Sequence, residues 1–278
     1  MFKLLRHELV KMFLKKRTLL GFLIVAVIVP LVEVAMKLEG GRFLQMATRS
    51  LQRDFFFVGN LFNGWFVSQQ MMNSLWIHIP LLISFVAGDQ LAGEATAGTY
   101  RLLLIRPVSR TKILFVKYTA SIVYTVVFVG FLGLFSIGLA LSLLGGGDLL
   151  VIERGMLLLP ANDVAWRFVV AYLLAMWSML TITSIAFFFS SFVENAIGPI
   201  IATMGVLIVF QIISVLPLDA FQSVRPYLFT PYLSLWQKAF AYPVSWGEVA
   251  SGGAYLGAYT LASVMAAWFI FIRKDILS

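Results

Sequence analysis

Apolar residues in this chain gather into long runs, not into the three-and-four spacing of a half-buried helix or the alternation of a half-buried strand. The first run, residues 19–36, reaches about 27 Å at 1.5 Å per residue, enough to cross a hydrocarbon core with little tilt. It lacks a small-x-small cleavage site and carries Pro30 and Glu33 near its far end, so it reads as a retained span and not as a secretory signal. A second span over 68–90 is weaker. It must recruit Met71 and Met72 across Asn73 and Ser74 to reach the needed length. Clearer runs follow at 116–144, 166–190, 196–216 and 249–272, each bounded by charge, Gly or Pro. The pattern predicts an all-α integral membrane protein: six transmembrane helices forming a single transmembrane domain over 1–278.

Two segments outside the spans have patterns of their own. Over 1–17, Phe2, Leu5, Leu9, Met12 and Phe13 share one helical face, with Lys3, His7, Glu8, Lys11 and Lys15 opposite. That spacing predicts an amphipathic interfacial helix, its apolar stripe in the membrane and its lysines on anionic lipid. Between the fifth and sixth spans, 217–247 holds four of the nine prolines interleaved with Phe, Tyr and Trp. Proline breaks helices and Tyr and Trp favour the headgroup level, so the expectation is a re-entrant outer segment of short helices packed against protein.

Composition agrees with the runs. With 60% hydrophobic and 12% charged residues, the chain has too little ionisable material to cover a soluble globule. The 21 Lys and Arg outnumber the 13 Asp and Glu, and 13 of the 21 flank one side of the predicted spans. This bias places both termini in the cytoplasm, as an even span count requires. No cysteine is present, which excludes disulfides and thiolate metal sites. Only His7 and His78 could serve a serine–histidine hydrolase, and no Gly-x-Ser-x-Gly elbow accompanies them.

The most informative stretch is the predicted cytoplasmic segment 94–112, between the second and third spans. Thr99 can cap a short helix, Leu102, Leu103 and Ile105 give it an apolar surface, Pro107 stops it, and Ser109 can cap the helix that follows. A partner gripping such a helix would move two membrane helices at once. Glu94, Gly98, Thr99, Leu102 to Leu104, Pro107, Val108, Ser109, Arg110 and Lys117 stand where the signature of ABC transporter permease subunits of the ABC-type-2, or export, class has its residues, and the chain resembles that family over nearly its whole length. The Ser190-Ser191 pair resembles its tight cytoplasmic turn.

The resemblance implies that 94–112 is a coupling helix seated in a cleft of a separate ATP-binding subunit. Glu94, Gly98, Thr99, Arg101, Leu102, Leu103, Arg106, Pro107, Ser109 and Arg110 would be the coupling residues. It implies a non-catalytic permease with no cofactor or metal of its own, ATP and Mg being bound by two copies of the partner. A second permease copy, identical or not, would complete the assembly in a bacterial or archaeal cytoplasmic membrane. The absence of a Gly-x-x-x-x-Gly-Lys-Ser/Thr phosphate loop fits an ATPase on another chain. Two alternatives stand beside ATP-driven export: a mechanical transmitter to an extracytoplasmic partner without solute transport, and a secondary transporter.

Among polar residues within the spans, Glu33 lies one turn before Lys37, placed for an i,i+4 pair. His78 is expected to be packed and hydrogen-bonded, and Asp89 to anchor the coupling segment. Gln211, Ser136, Ser142, Thr181, Thr183 and Ser184 are candidates for bonds between helices, and Gly252, Gly253 and Gly257 for close helix approach.

Overall fold

The computed structural model describes residues 2–48, 61–99, 108–152 and 156–274, with backbone alone for 43–48. Helix α1 (Phe2–Leu14) bends at Lys15 into α2 (Lys16–Thr48), followed by α3 (Gly64–Leu75), α4 (Ile79–Thr96) and α5 (Arg110–Leu144). A hairpin of β1 (Leu149–Ile152) and β2 (Met156–Leu159) leads to α6 (Ala161–Phe192) and α7 (Gly198–Val215). Two short helices, α8 (Asp219–Gln222) and α9 (Thr230–Leu233), alternate with 3-10 turns at Arg225–Tyr227 and Ser234–Phe240 before α10 (Trp246–Arg273).

Five helices, α2, α5, α6, α7 and α10, are long and apolar enough to cross a membrane, and α3 with α4 form a sixth candidate bent by 54°. The chain is thus an integral membrane protein whose mass is mostly helical. Among the described residues the one departure from an all-helical fold is the hairpin, antiparallel with Leu149 opposite Leu159 and Ile152 opposite Met156. Only three residues separate the strands, and the four-residue strands were too short to register against the neighbouring apolar runs.

The bend explains why the second span reads poorly in sequence. Pro80, in the first turn of α4, has no N–H to continue the ladder from α3, so the chain turns at Trp76–His78. Two polar residues at the start of α3 bond within the chain. Asn63 caps the helix, accepting from the amides of Trp65 (3.1 Å) and Phe66 (3.2 Å), and Ser68 donates to the Gly64 carbonyl at 2.8 Å. Gly64 is where α3 meets α5. A Cβ there would lie 2.7 Å from backbone atoms of Ala140 and Leu141, which have no side-chain freedom to yield. Gly64→Ala is therefore expected to destabilise the protein by about 1–3 kcal/mol. Thermal unfolding in detergent measures this, and an unchanged midpoint would mean the two backbones do not approach so closely.

Helix α6 is the bundle's axis: 61% of its most apolar stretch is buried, against 22% or less for α2, α7 and α10. Those three helices present rows of exposed apolar residues, such as Leu23, Val27 and Leu31 on α2 and Ile201, Ile208 and Ile212 on α7. Such stripes suit lipid or another membrane helix, not water. The turns after α7 fold back onto the bundle, with Leu233 and Leu235 clustering with Leu174, thirteen residues and about 20 Å along α6 from its start. Trp236, fully buried, packs on Trp76 at the bend with ring centroids 5.6 Å apart. Arg167 holds the segment from the other side, donating to the carbonyls of Ala239 (2.9 Å) and Ala241 (2.7 Å) and to Asp163 (2.8 Å).

Helix α1 and the end of α10 lie at one end of the bundle, here the terminal face. Arg110, at the start of α5, donates to the carbonyls of Ile272 (3.1 Å) and Lys274 (2.8 Å) at the end of α10. Lys274 in turn lies 3.7 Å from Glu194, beyond α6. Helix α1 lies at this face, and its apolar stripe is used within the chain: Met12 is buried, and Leu5, Leu9 and Phe13 pack on the main core. Phe2 alone of that stripe remains largely exposed.

A candidate coupling site at the terminal face

The residues that make this face begin with the end of α4. Gly98 has φ +64°, a left-handed conformation that glycine adopts without a Cβ penalty. Its amide donates to the Ala95 carbonyl and the Thr99 amide donates to the Glu94 carbonyl, both at 3.0 Å. Together these form the Schellman closure of a helix end. The spacing Glu94, Gly98, Thr99 thus has a local cause. Gly98 reverses the chain, the Thr99 amide satisfies the Glu94 carbonyl, and the Thr99 hydroxyl comes back onto the Glu94 carboxylate.

The Glu94 side chain is only 4% exposed and lies inside the chain, not on its surface. Oε1 accepts from Lys117 on α5 at 2.9 Å and from Lys11 on α1, while Oε2 accepts from Thr99. Lys117, 1% exposed, also donates to Glu8 on α1 at 3.0 Å. Two carboxylates and two ammonium groups therefore join three helices, with Lys117 between the carboxylates. A second group lies beside it: Asp89 receives Lys15 (2.7 Å) and Arg17 (3.4 Å) from the bend between α1 and α2. Asp89 thereby ties the end of α4 to the amino-terminal elbow.

The remaining contacts reach the rest of the bundle. Ser190 donates to the Gly88 carbonyl at 2.5 Å and accepts from the amides of Leu91 (3.1 Å) and Ala92 (2.9 Å), joining α6 to α4. Ser190 and Ser191 are still helical, and the turn itself follows Phe192, because Ser190 is needed as an inward bonding group. Thr96 donates to the Glu194 carbonyl at 3.0 Å and accepts from the Ala196 amide at 3.1 Å, tying α4 to the turn before α7. Across the segment, Ser109 caps α5, accepting from the Lys112 amide at 3.4 Å. Arg110 beside it is committed to α10. Arg101, Leu102, Leu103, Arg106 and Pro107 lie outside the described residues.

Of the predicted site residues that are described, Glu94, Gly98 and Thr99 form one cluster, and Ser109 with Arg110 forms another at the segment's far end. Lys11, Lys15, Arg17 and Glu8 were missed as members. The available signals were Glu8 and Lys11 one turn apart on α1, and Lys117 alone among apolar residues at the start of α5.

Elsewhere the polar expectations divide. Glu33 is fully buried and accepts from Ser136 on α5 at 2.8 Å, not from Lys37, because that side of α2 faces α5. Thr183 meets Thr125 (2.7 Å), Ser184 meets Tyr118 (2.8 Å) and Thr181 meets Thr260 (3.1 Å), all between helices as expected. Ser142 bonds instead to Leu139 of its own helix. His78 is hydrogen-bonded to the Ser74 carbonyl at 3.1 Å, but on an exposed face and not in a packed one. Gly252 admits Leu235 closely, whereas a Cβ on Gly253 would meet open space.

The spans and this ion-paired face define the class: an integral membrane helical bundle with one polar, heavily cross-linked end. The chain belongs to the family described as Protein of unknown function (DUF2705), which matches residues 18–277. Among curated proteins, none matches it. The family match begins at Thr18, so the contributions of Glu8 and Lys11 come from before the matched region.

Proposed function

We propose that this chain is the membrane-spanning permease subunit of an ATP-driven ABC exporter, with the terminal face in the cytoplasm. The segment between α4 and α5 would be worked by a separate ATP-binding subunit, present in two copies, that holds ATP and Mg. The observation that carries the reading is the anchoring of that segment's two ends. Its near end is tied through Glu94 and Thr99 to α1 and α5, and through Thr96 to the turn before α7. Its far end is tied through Arg110 to α10. A force applied to residues 100–107 therefore reaches nearly every helix, which is the mechanical requirement for coupling. In this reading Glu94 and Arg110 act by holding the handle, and the intervening residues meet the partner.

The exposed apolar rows on α2, α7 and α10 support pairing with a second permease copy. The void lined by Met72, Trp76, Val129, Tyr172 and Met179 is about 20 Å³, room for no more than a water molecule. In this reading the solute path runs between copies. The broken α3–α4 span favours the secondary transporter as second reading, because interrupted helices frame the ion sites of that class.

The absence of native cysteine makes the test direct. Single cysteines placed at residues 101–107 should react with an impermeant maleimide only from the cytoplasmic side and cross-link to a soluble protein that hydrolyses ATP. Labelling from outside would overturn the reading. So would ion- or proton-driven flux from purified chain with no ATPase attached, which would establish the secondary transporter.

A further inference from the structure

At the terminal face the elbow between α1 and α2, the end of α4 and the turn before α7 enclose a polar mouth of about 500 Å³. Lys15, Lys16 and Arg17 line it on one side and Asn195 on the other. Arg17, Asp89, Ala196 and Ile197 also line a second space of about 440 Å³, so the two adjoin. This second space is apolar. Its walls are Leu20 and Ile24 of α2 and Ile200 of α7, and its floor is Leu81 and Phe85 of α4. From Leu81 to Asp89 the floor runs about 12 Å, close to the depth of one leaflet's hydrocarbon.

We infer that this crevice binds an anionic phospholipid, with the phosphate at the mouth against Lys16 and Arg17 and one acyl chain along the groove between α2 and α7. Three observations converge on a lipid. The groove opens sideways among exposed apolar residues, since Leu20 and Ile197 are 53% and 59% exposed. Its mouth carries three cations against one carboxylate, Asp89, whose oxygens are already held by Lys15 and Arg17. Lys16 is exposed and has no ion-pair partner among the described residues. A small soluble anion would use the mouth and leave the groove empty; a neutral lipid would use the groove and leave the charges unmet. Only a ligand with both parts satisfies both. A lipid seated there would touch the elbow, α4 and α7 together, and so brace the parts that the Asp89 pairs join. The inference does not depend on the ATPase reading.

The test is titration of the delipidated full chain in mild detergent with phosphatidylglycerol or phosphatidylcholine, read by native mass spectrometry. Phosphatidylglycerol should bind roughly tenfold more tightly than phosphatidylcholine, given the charge at the mouth. Lys16→Gln should weaken phosphatidylglycerol about fivefold and leave phosphatidylcholine unchanged, whereas Lys16→Arg should bind both as the parent does. Lys16 is exposed and its side chain has no hydrogen bond or ion pair among the described residues, so these variants report binding. Leu20→Trp, which fills the groove, should weaken both lipids. Equal binding of the two lipids would overturn the inference, as would equal protection against unfolding by inorganic phosphate. So would an Ile197→Cys variant that forms a disulfide-linked dimer with its groove lipid-free, since a second copy would then be the occupant.

Discussion

Lys117→Met is expected to destabilise the protein by about 3–5 kcal/mol, the usual cost of removing one partner from a buried ion pair. The Lys117 ammonium lies 2.9 Å from Glu94 and 3.0 Å from Glu8, and its side chain is 2% exposed. Without it, two carboxylates face each other with only the half-exposed Lys11 between α1 and α4. Glu94→Gln should be milder, about 1–2 kcal/mol, because the amide still accepts from Thr99. Unfolding of the purified variants in detergent measures both, and a Lys117→Met protein as stable as the parent would mean that the cluster does not hold the face together. Where the variant is kept folded by lower temperature, the coupling reading adds a functional outcome. The partner should hydrolyse ATP without transport, because the near end of the segment is no longer fixed to α5.

The second large effect is expected at Arg167. Its guanidinium supplies hydrogen bonds to the buried carbonyl of Ala239, to the half-buried carbonyl of Ala241 and to Asp163, and it stands 4.9 Å from the Trp166 ring and 5.8 Å from the Tyr242 ring. Arg167→Leu removes every donor at once and leaves both carbonyls without partners, a loss of about 3–5 kcal/mol. Arg167→Lys should recover little of it, since a point charge on a flexible stem does not reproduce the guanidinium's planar array of donors. The effect should be local. Hydrogen exchange at residues 234–242 should rise strongly while exchange in α5 stays as it was. Unchanged exchange there would show that Trp236 and Phe240, both buried against the bundle, hold the segment unaided.

The apolar runs were long enough to reveal membrane helices without any knowledge of their neighbours. Spanning is a property of a single helix: its own ladder satisfies its backbone, and its own side chains meet the lipid. The strongest runs accordingly matched α2, α5, α6, α7 and α10, with ends displaced by up to six residues except at α2, which continues twelve residues past the apolar stretch to Thr48. The second span was faint for the opposite reason. Most of helix α3 is buried by protein instead of lipid, so Ser68 and Gln69 could enter it, and Pro80 divides it from α4. The caps at Gly98 and Ser109 were equally local, Ser109 being recognised as such and Gly98 only as part of a motif.

What the sequence by itself determined, then, is the solvent this chain lives in, the number of its strong spans and the place where its polypeptide must turn. What only the tertiary structure decided is which charges meet. Glu94 is separated from Lys117 by 23 positions and from Lys11 by 83, and Glu33 from Ser136 by 103. The direction of each of those side chains depends on how α1, α2 and α5 rotate against one another. That rotation is set by packing across the bundle, where Met12, Phe22, Tyr124 and Phe128 interlock. No one helix records it.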